Sequence, residues 1–335
     1  MKAVLCKAYG GPETLVMEEI DAPQPKENEV LVDVHAAGVN FPDLLIIENK
    51  YQVKPPLPFS PGSEVAGIVR AVGAGVTHVK PGDKVFGSCT YNGFREQSIV
   101  PAPLCALIPE GMDFQMAAGF GLVYSTSYLA LKVWAALKPD ENLFVMGAAG
   151  GVGLAAVELG KVMGARVIAA ASSEEKLQIC RQYGADETLL YPARMDKDQQ
   201  KAFSEAIKEK TGGQGADVIY DPIGDKYAEP ALRAIAWRGR YLVVGFAAGD
   251  IPHIPLNLLL LKGCAVMGVF CGRFRRSEPQ AYAQLLAEIT EFYVKGQLKP
   301  HISGVYPLHK AADALAVIAA RRAVGKLIID MGRNN

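Results

Sequence analysis

Between Phe144 and Leu154 the chain reads VMGAAGGVG. Glycines packed at this spacing between an apolar run and a second apolar, helix-forming run suit the cradling of a dinucleotide pyrophosphate. Gly147, Gly150, Gly151 and Gly153 permit the tight turn, and with Ala149 and Val152 they bring backbone N–H groups toward the phosphates. The helix that follows adds a partial positive charge at its N-terminus. A site of this kind normally has an acid about 20 residues on, which holds the adenosine ribose. Here the next apolar run, ARVIAAA, ends at Ala171 and is followed by Ser172, Ser173 and Lys176. Hydroxyls donate to phosphate oxygens, and Lys176 brings an ammonium one helical turn later. Tyr191 adds a phenol at the end of the third strand. Glu174 and Glu175 fit the solvated first turn of the next helix. The missing acid therefore favours NADPH over NADH, against the plainer alternative of Lys176 as a surface lysine.

The elements that position these residues are legible in outline. From Leu122 the chain alternates strand and helix: NLFVMG, a helix over Gly151–Met163, ARVIAAA, a helix over Glu174–Tyr183 and a strand at ETLLY. A helix over Asp198–Lys210, the strand ADVIYDPIG, a helix over Ala228–Ala236 and the strand GRYLVVGF follow. Repeated units of this length with nearly all-apolar strands predict a parallel sheet covered by helices on both faces, an α/β fold of Rossmann type. Residues 1–121 instead carry short valine-rich runs broken by Gly and Pro, as in EVLVDVHAAGV, KPPLPFSPG and KPGD, which predict an irregular, partly barrel-like β domain. The tail after Lys262 has no further βα repeat and is expected to rejoin that first domain. The expected division is residues 1–122 with 265–335 in one domain and 123–264 in the other.

Composition sets the class. The 335 residues are 50% hydrophobic and 21% charged, and 35 Lys and Arg balance 35 Asp and Glu. A zero net charge argues against a general attraction to nucleic acid or to anionic membrane. The six cysteines form no C-x-x-C pair and read as reduced thiols. The most apolar window, Ile254–Val269, holds Lys262 and is too short to span a bilayer. A cytoplasmic location is expected, with a mitochondrial matrix location left open.

Several stretches together resemble a known family. PETLVMEEIDAPQPKENEVLVDVHAAGVNFPD, PGSEVAGIV, VKPGDKVFG, GAAGGVG and ARRAVGK, in this order and almost end to end, are similar to the zinc-independent quinone oxidoreductases, the zeta-crystallin-like branch of the medium-chain dehydrogenase/reductases. The resemblance implies a discontinuous, GroES-like β-rich catalytic domain and a Rossmann NADP-binding domain. It implies that Ser172, Lys176 and Tyr191 surround the adenosine 2′-phosphate and that Arg321 closes that pocket. It places Thr126, Phe246, Ala247, Asn257, Val269 and Phe270 at or near the cofactor. Zinc-dependent relatives carry Cys and His where this chain has Asn40 and Ser63, and an amide and a hydroxyl are poor zinc ligands. The region between Ser88 and Glu110 holds only Cys89 and Cys105, too few for a structural zinc loop. No metal is expected.

Without a metal, hydride transfer from NADPH relies on positioning and hydrogen bonds, which suits an electron-poor acceptor. Asn40 and Tyr51 match the family's GVNxxD…Y pattern and are expected to polarise the acceptor carbonyl, with Tyr51 or water giving the proton. Asp43 is expected to cap the following helix and Glu64 to be a buried hydrogen-bonding group. The loops Glu48–Phe59 and Phe270–Pro279 are expected to shape the pocket. The expected function is an NADPH-dependent quinone oxidoreductase. The alternatives are a reductase of enones or enoyl-CoA esters, and a catalytically silent NADPH-binding protein. The arginines of GRFRR, Arg273–Arg276, read either as a solvated loop or as a rim for an anionic substrate. Relatives pair through the edge strand AVMGVF, so a homodimer is expected.

Overall fold

The computed structural model describes residues 1–192 and 195–333. The chain divides into two units. The first comprises Met1–Leu122, Arg275–Val294 and the residues from Lys299 on; the second comprises Val123–Phe274 and Lys295–Leu298. The strand Ala265–Gly268 and the residues to Phe274 thus go with the parallel sheet, beyond the boundary expected at residue 264. An edge strand explains the discrepancy. Ala265, Val266 and Gly268 are exposed, so this strand lacks the continuous apolar burial that marks its neighbours.

The second unit is built on a six-stranded sheet. Its order is Glu187–Leu190, Arg166–Ala171, Asn142–Val145, Ala216–Asp221, Ile235–Val243 and Ala265–Gly268, and every pairing is parallel. The strands RVIAAA and NLFV are buried nearly throughout, as strands covered on both faces must be. Phe144, Ile168 and Ile219 of the strands meet Phe203 and Ile207 of the helix Lys197–Lys210 in one apolar core. Two elements depart from expectation. The helix from Ala228 stops at Arg233, because Ile235 already pairs with Ala216. The run YSTSYLALKVW is α-helical over Gly121–Tyr128 and then widens into a π-helical turn over Leu129–Trp134.

The first unit holds a seven-stranded sheet centred on the long strand Glu29–Val39. That strand pairs antiparallel with Glu64–Val72 on one side and with Lys326–Asp330 on the other. The tail therefore returns to the first unit through a strand from the ARRAVGK motif, which the register fixes at Leu327 opposite Val39.

Candidate active site

Sheet register assembles the first group of polar residues. Gly38 lies opposite Glu64, and Leu327 lies opposite Val39. Three adjacent strands therefore deliver Asn40, Glu64 and Lys326 to one buried point. Lys326 Nζ donates to Glu64 Oε1 at 2.6 Å, to Asn40 Oδ1 at 2.6 Å and to the Val39 carbonyl at 3.1 Å. Asn40 Nδ2 donates to the same Glu64 oxygen at 2.9 Å, and Glu64 Oε2 accepts the Leu122 N–H at 3.0 Å. Both side chains of the ion pair are 4% exposed. The ammonium fixes the amide: Lys326 has donors only, so the Asn40 oxygen must face it and the amide nitrogen must face Glu64.

This geometry gives Asn40 a second, structural role. Its short N–H bond goes to Glu64, and the other contacts of Nδ2, to Gly38 O and Ser63 Oγ, are 3.4 and 3.5 Å. Asn40 thus frames a buried charge pair. The Asp43 carboxylate accepts the Asn40 backbone N–H at 2.8 Å, at the start of the helix Phe41–Ile47, as its capping role requires. Burial pushes the Asp43 carboxyl up to about 7, although that N–H, Lys326 and Ser63 pull it down. Tyr51 lies half-buried in the loop after this helix. Zinc does not fit this donor set: an amide, a hydroxyl and a carboxylate already bonded to an ammonium replace the thiolate and imidazole ligands zinc prefers.

In the second unit the expected cofactor residues gather at the carboxyl ends of the parallel strands, where ligands bind in open α/β sheets. The strand Asn142–Val145 ends in a turn at Gly147, whose φ of +57° is left-handed. The helix Gly151–Val162 starts directly after Gly150. A Cβ on Gly153 would stand 2.3 Å from Gly147 O and 2.8 Å from Ala148 Cα, so only glycine lets the helix seat against the loop. Ala149 and Val152 lie in the same loop and first turn, and Val152 O accepts the Ser127 hydroxyl at 2.8 Å. That bond ties the helix carrying the buried Thr126 to the glycine turn.

At the end of Arg166–Ala171, Ser172 is exposed, and its hydroxyl pulls the Tyr191 phenol down against the effect of burial. Ser173 caps the helix Glu174–Gln182, accepting the Lys176 N–H at 3.4 Å. Burial lowers the Lys176 ammonium below the usual lysine range and raises the Tyr191 phenol. Among the described residues, Ser172, Ser173 and Lys176 thus gather at the end of this strand with Tyr191; no carboxylate follows Ala171 directly, while Glu175 acts on Ser173 and Asp221 on Tyr191. Phe246 and Ala247 sit in a loop docked on the next strand end: Ala247 N donates to Pro222 O at 3.1 Å and Ala248 N to Ile223 O at 2.8 Å. Asp221 holds that strand end, accepting the Ile223 and Gly224 N–H groups at 2.8 Å and the Tyr241 hydroxyl, and burial raises its carboxyl to about 6. Val269 is buried just past the edge strand, its N–H on Val243 O, while Phe270 is exposed. Asn257 is not brought to this group by any hydrogen bond; it is exposed at the start of the helix Asn257–Lys262. Arg321 belongs to the first unit, exposed beyond the helix Ala311–Ala319, with a φ of +56°.

Sequence reasoning missed Lys326. Its only signal was its place in the ARRAVGK motif, since its partner Glu64 is 262 residues away.

Two family models match the chain: an alcohol dehydrogenase GroES-like domain over residues 26–124 and a zinc-binding dehydrogenase domain over residues 151–291. The chain is 38% identical to a quinone oxidoreductase-like protein 2 homolog of Nematostella vectensis, covering 98% of this chain and 88% of that protein. The chain belongs to the zinc-independent quinone oxidoreductase branch of the medium-chain dehydrogenase/reductases. It is 35% identical to the human quinone oxidoreductase, over 98% of this chain and 97% of that one. The Escherichia coli quinone oxidoreductase, solved as an NADPH complex, superposes with a TM-score of 0.90 at 30% identity, over 98% of this chain and 100% of that one. The Thermus thermophilus quinone oxidoreductase, also solved with NADPH, gives 0.84 at 31% identity, over 99% and 100%. The chain is an oxidoreductase of this superfamily. The second family description names zinc; Asn40, Ser63 and the Lys326–Glu64 pair stand where that chemistry would need ligands.

Proposed function

We propose that this oxidoreductase reduces a quinone with NADPH, and that the second unit is the nucleotide-binding domain and the first the catalytic one. The observation that carries the cofactor choice is the cluster of Ser172, Ser173, Lys176 and Tyr191 at a strand end that lacks the ribose-binding acid. A 2′-phosphate finds three hydroxyls and an ammonium there, and no carboxylate at the ribose-binding position that ends the strand. The N–H groups of the turn Gly147–Gly153 and the N-terminus of the helix Gly151–Val162 hold the pyrophosphate. Phe246, Ala247 and Val269 lie at the strand ends that would frame the nicotinamide end, with Thr126 held near the glycine turn.

NADPH supplies the hydride when bound. The protein's share is alignment and a proton. Tyr51 has a neutral phenol that can donate to a developing oxyanion and release its proton to it. Asn40, Glu64 and Lys326 form a buried, mutually bonded group at the start of the helix Phe41–Ile47, which leads into the loop that carries Tyr51. A quinone needs only this modest help, whereas an unactivated ketone would need a Lewis acid.

The edge strand Ala265–Gly268 and the exposed leucines before it suit pairing with a second copy, and a homodimer is part of this reading.

The test measures NADPH and NADH oxidation with quinone acceptors, for the parent and for Lys176→Ala. We expect a strong NADPH preference, with kcat/KM for NADPH falling roughly 10–100-fold in the variant while that for NADH changes little, as loss of one charge-assisted contact implies. Equal use of both cofactors by the parent would refute the 2′-phosphate assignment.

A further inference from the structure

The first unit buries two arginines that have no counter-ion among the described residues. Arg95 is 9% exposed and Arg275 is 8% exposed. Among the described residues neither guanidinium has a carboxylate within ion-pair distance, and the Nε of each is buried without a hydrogen-bond partner. Arg95 makes no side-chain hydrogen bond at all to the described residues. Arg275 reaches only hydroxyls, those of Ser88 and, at 3.5 Å, Thr90. Buried guanidinium groups are ordinarily paired, because desolvating an unpaired cation is costly.

The two arginines flank one loop: Arg275 contacts Ser88 and Thr90, and Arg95 follows five residues after Thr90. Both act on the half-buried Cys89 thiol, which lies between the two residues that Arg275 contacts. Arg95 in turn is influenced by Cys89 and Tyr91. The loop itself is held in an unusual shape: Thr90, a β-branched residue, has a φ of +71°. Strain of this kind persists only where the surroundings enforce it, and it clusters at ligand-binding segments. The loop is anchored to the candidate site. Ser88 Oγ donates to Ser63 O at 2.8 Å and Cys89 N to the same oxygen at 3.0 Å, and Ser63 neighbours Asn40.

We propose that Arg95 and Arg275, with the Thr90 hydroxyl, bind an oxyanion carried by the acceptor, so that the substrate class of this oxidoreductase is an anionic quinone or related carbonyl bearing a carboxylate, sulfonate or phosphate. The proposal rests on the reading of the first unit as the acceptor-binding domain. Arginine suits the role: its planar fork matches an oxyanion, and it cannot lose its charge in a buried setting. The ligand supplies the missing counter-charge, so binding relieves a cost already present in the folded chain.

The test compares naphthoquinone with naphthoquinone sulfonate as acceptors at saturating NADPH, in the parent, Arg275→Met, Arg95→Met and Arg275→Lys. The readout is the ratio of kcat/KM for the sulfonate to that for the neutral quinone. We expect this ratio to fall about tenfold or more in each Met variant, the worth of a hydrogen bond to a charged group, and to recover in part in Arg275→Lys. An unchanged ratio, with or without an overall loss of activity, overturns the proposal. A second arm titrates the full-length parent with naphthalene sulfonate and with uncharged naphthalene methanol by calorimetry. Preferential sulfonate binding that weakens with inorganic phosphate and in Arg275→Met supports the site even if no quinone is reduced, in which case the acceptor reading alone falls. Equal binding of the two compounds to the parent, or none, overturns the site, and this arm decides if the variants do not fold.

Discussion

At the scale of single residues, a charge pair and an acid below it decide what the first unit can do. Lys326 and Glu64 are both buried, so removing one would strand the other at a cost of about 3–5 kcal/mol. Asp43 sits beside them in a nearly dry setting. Its carboxyl has an unfolded-state value of 3.8 and is raised to about 7 by burial, so the folded chain holds this proton more tightly than the unfolded one does. Stability from this group is therefore fully present below about 3.8 and is lost as pH rises through about 7. Asp221, raised to about 6, acts in the same direction. Asp43→Asn keeps an oxygen for the Asn40 N–H but cannot ionise. The unfolding free energy of Asp43→Asn minus that of the parent should therefore rise as pH goes from 4 toward 7 and level off above it, by about 1 kcal/mol or more in total. A difference independent of pH in a thermal denaturation series would show that Asp43 titrates normally. The motif position of Asn40 was readable from the chain. Its actual use was not, because the ammonium that turns its amide comes from a strand near the opposite terminus.

At the scale of elements, the parallel sheet was legible because its strands are short, apolar and separated by helices of regular period. What failed were elements whose context overrides local pattern. AVMG, expected as an edge strand of the first domain, instead extends the parallel sheet beside Ile235–Val243. The helix from Ala228 ends early because Ile235 enters a strand. The glycine turn was legible, but its glycines are not equivalent. A Cβ at Gly153 would collide with backbone at 2.3 Å, whereas at Gly150 the nearest atom is Gly147 O at 3.4 Å, with φ at an ordinary −75°. Gly153→Ala must therefore push the helix off the loop. We expect it to destabilise the protein by about 1–3 kcal/mol, and NADPH affinity should fall with it. Gly150→Ala should lose much less of either. Thermal denaturation and fluorescence titration with NADPH check the pair. Equal effects at the two positions would mean that the close approach at Gly153 does not govern the turn.

At the scale of the whole molecule, the question is what covers the exposed apolar surface of the second unit. Leu256, Leu260 and Leu261 are 77%, 80% and 70% exposed, and Val266 on the edge strand is 40% exposed. Isolated exposed leucines are common, but three within six residues, directly before a strand with a free edge among the described residues, are not scattered surface. A second copy of the same edge would extend the parallel sheet by backbone hydrogen bonds and bury these side chains at about 1.5–3 kcal/mol for each one fully covered. A two-fold arrangement needs no other partner, since the same patch serves both copies. Leu260→Glu with Leu261→Glu places two charges in that patch without touching a residue assigned to cofactor or acceptor. Analytical ultracentrifugation of the parent should give a dimer at micromolar concentration, and the double variant should sediment as a monomer with its Tm reduced, because dissociation removes the stabilisation that association adds. A monomeric parent would leave the edge strand as a surface that the fold tolerates, and the helix Asn257–Lys262 without a partner of its own kind.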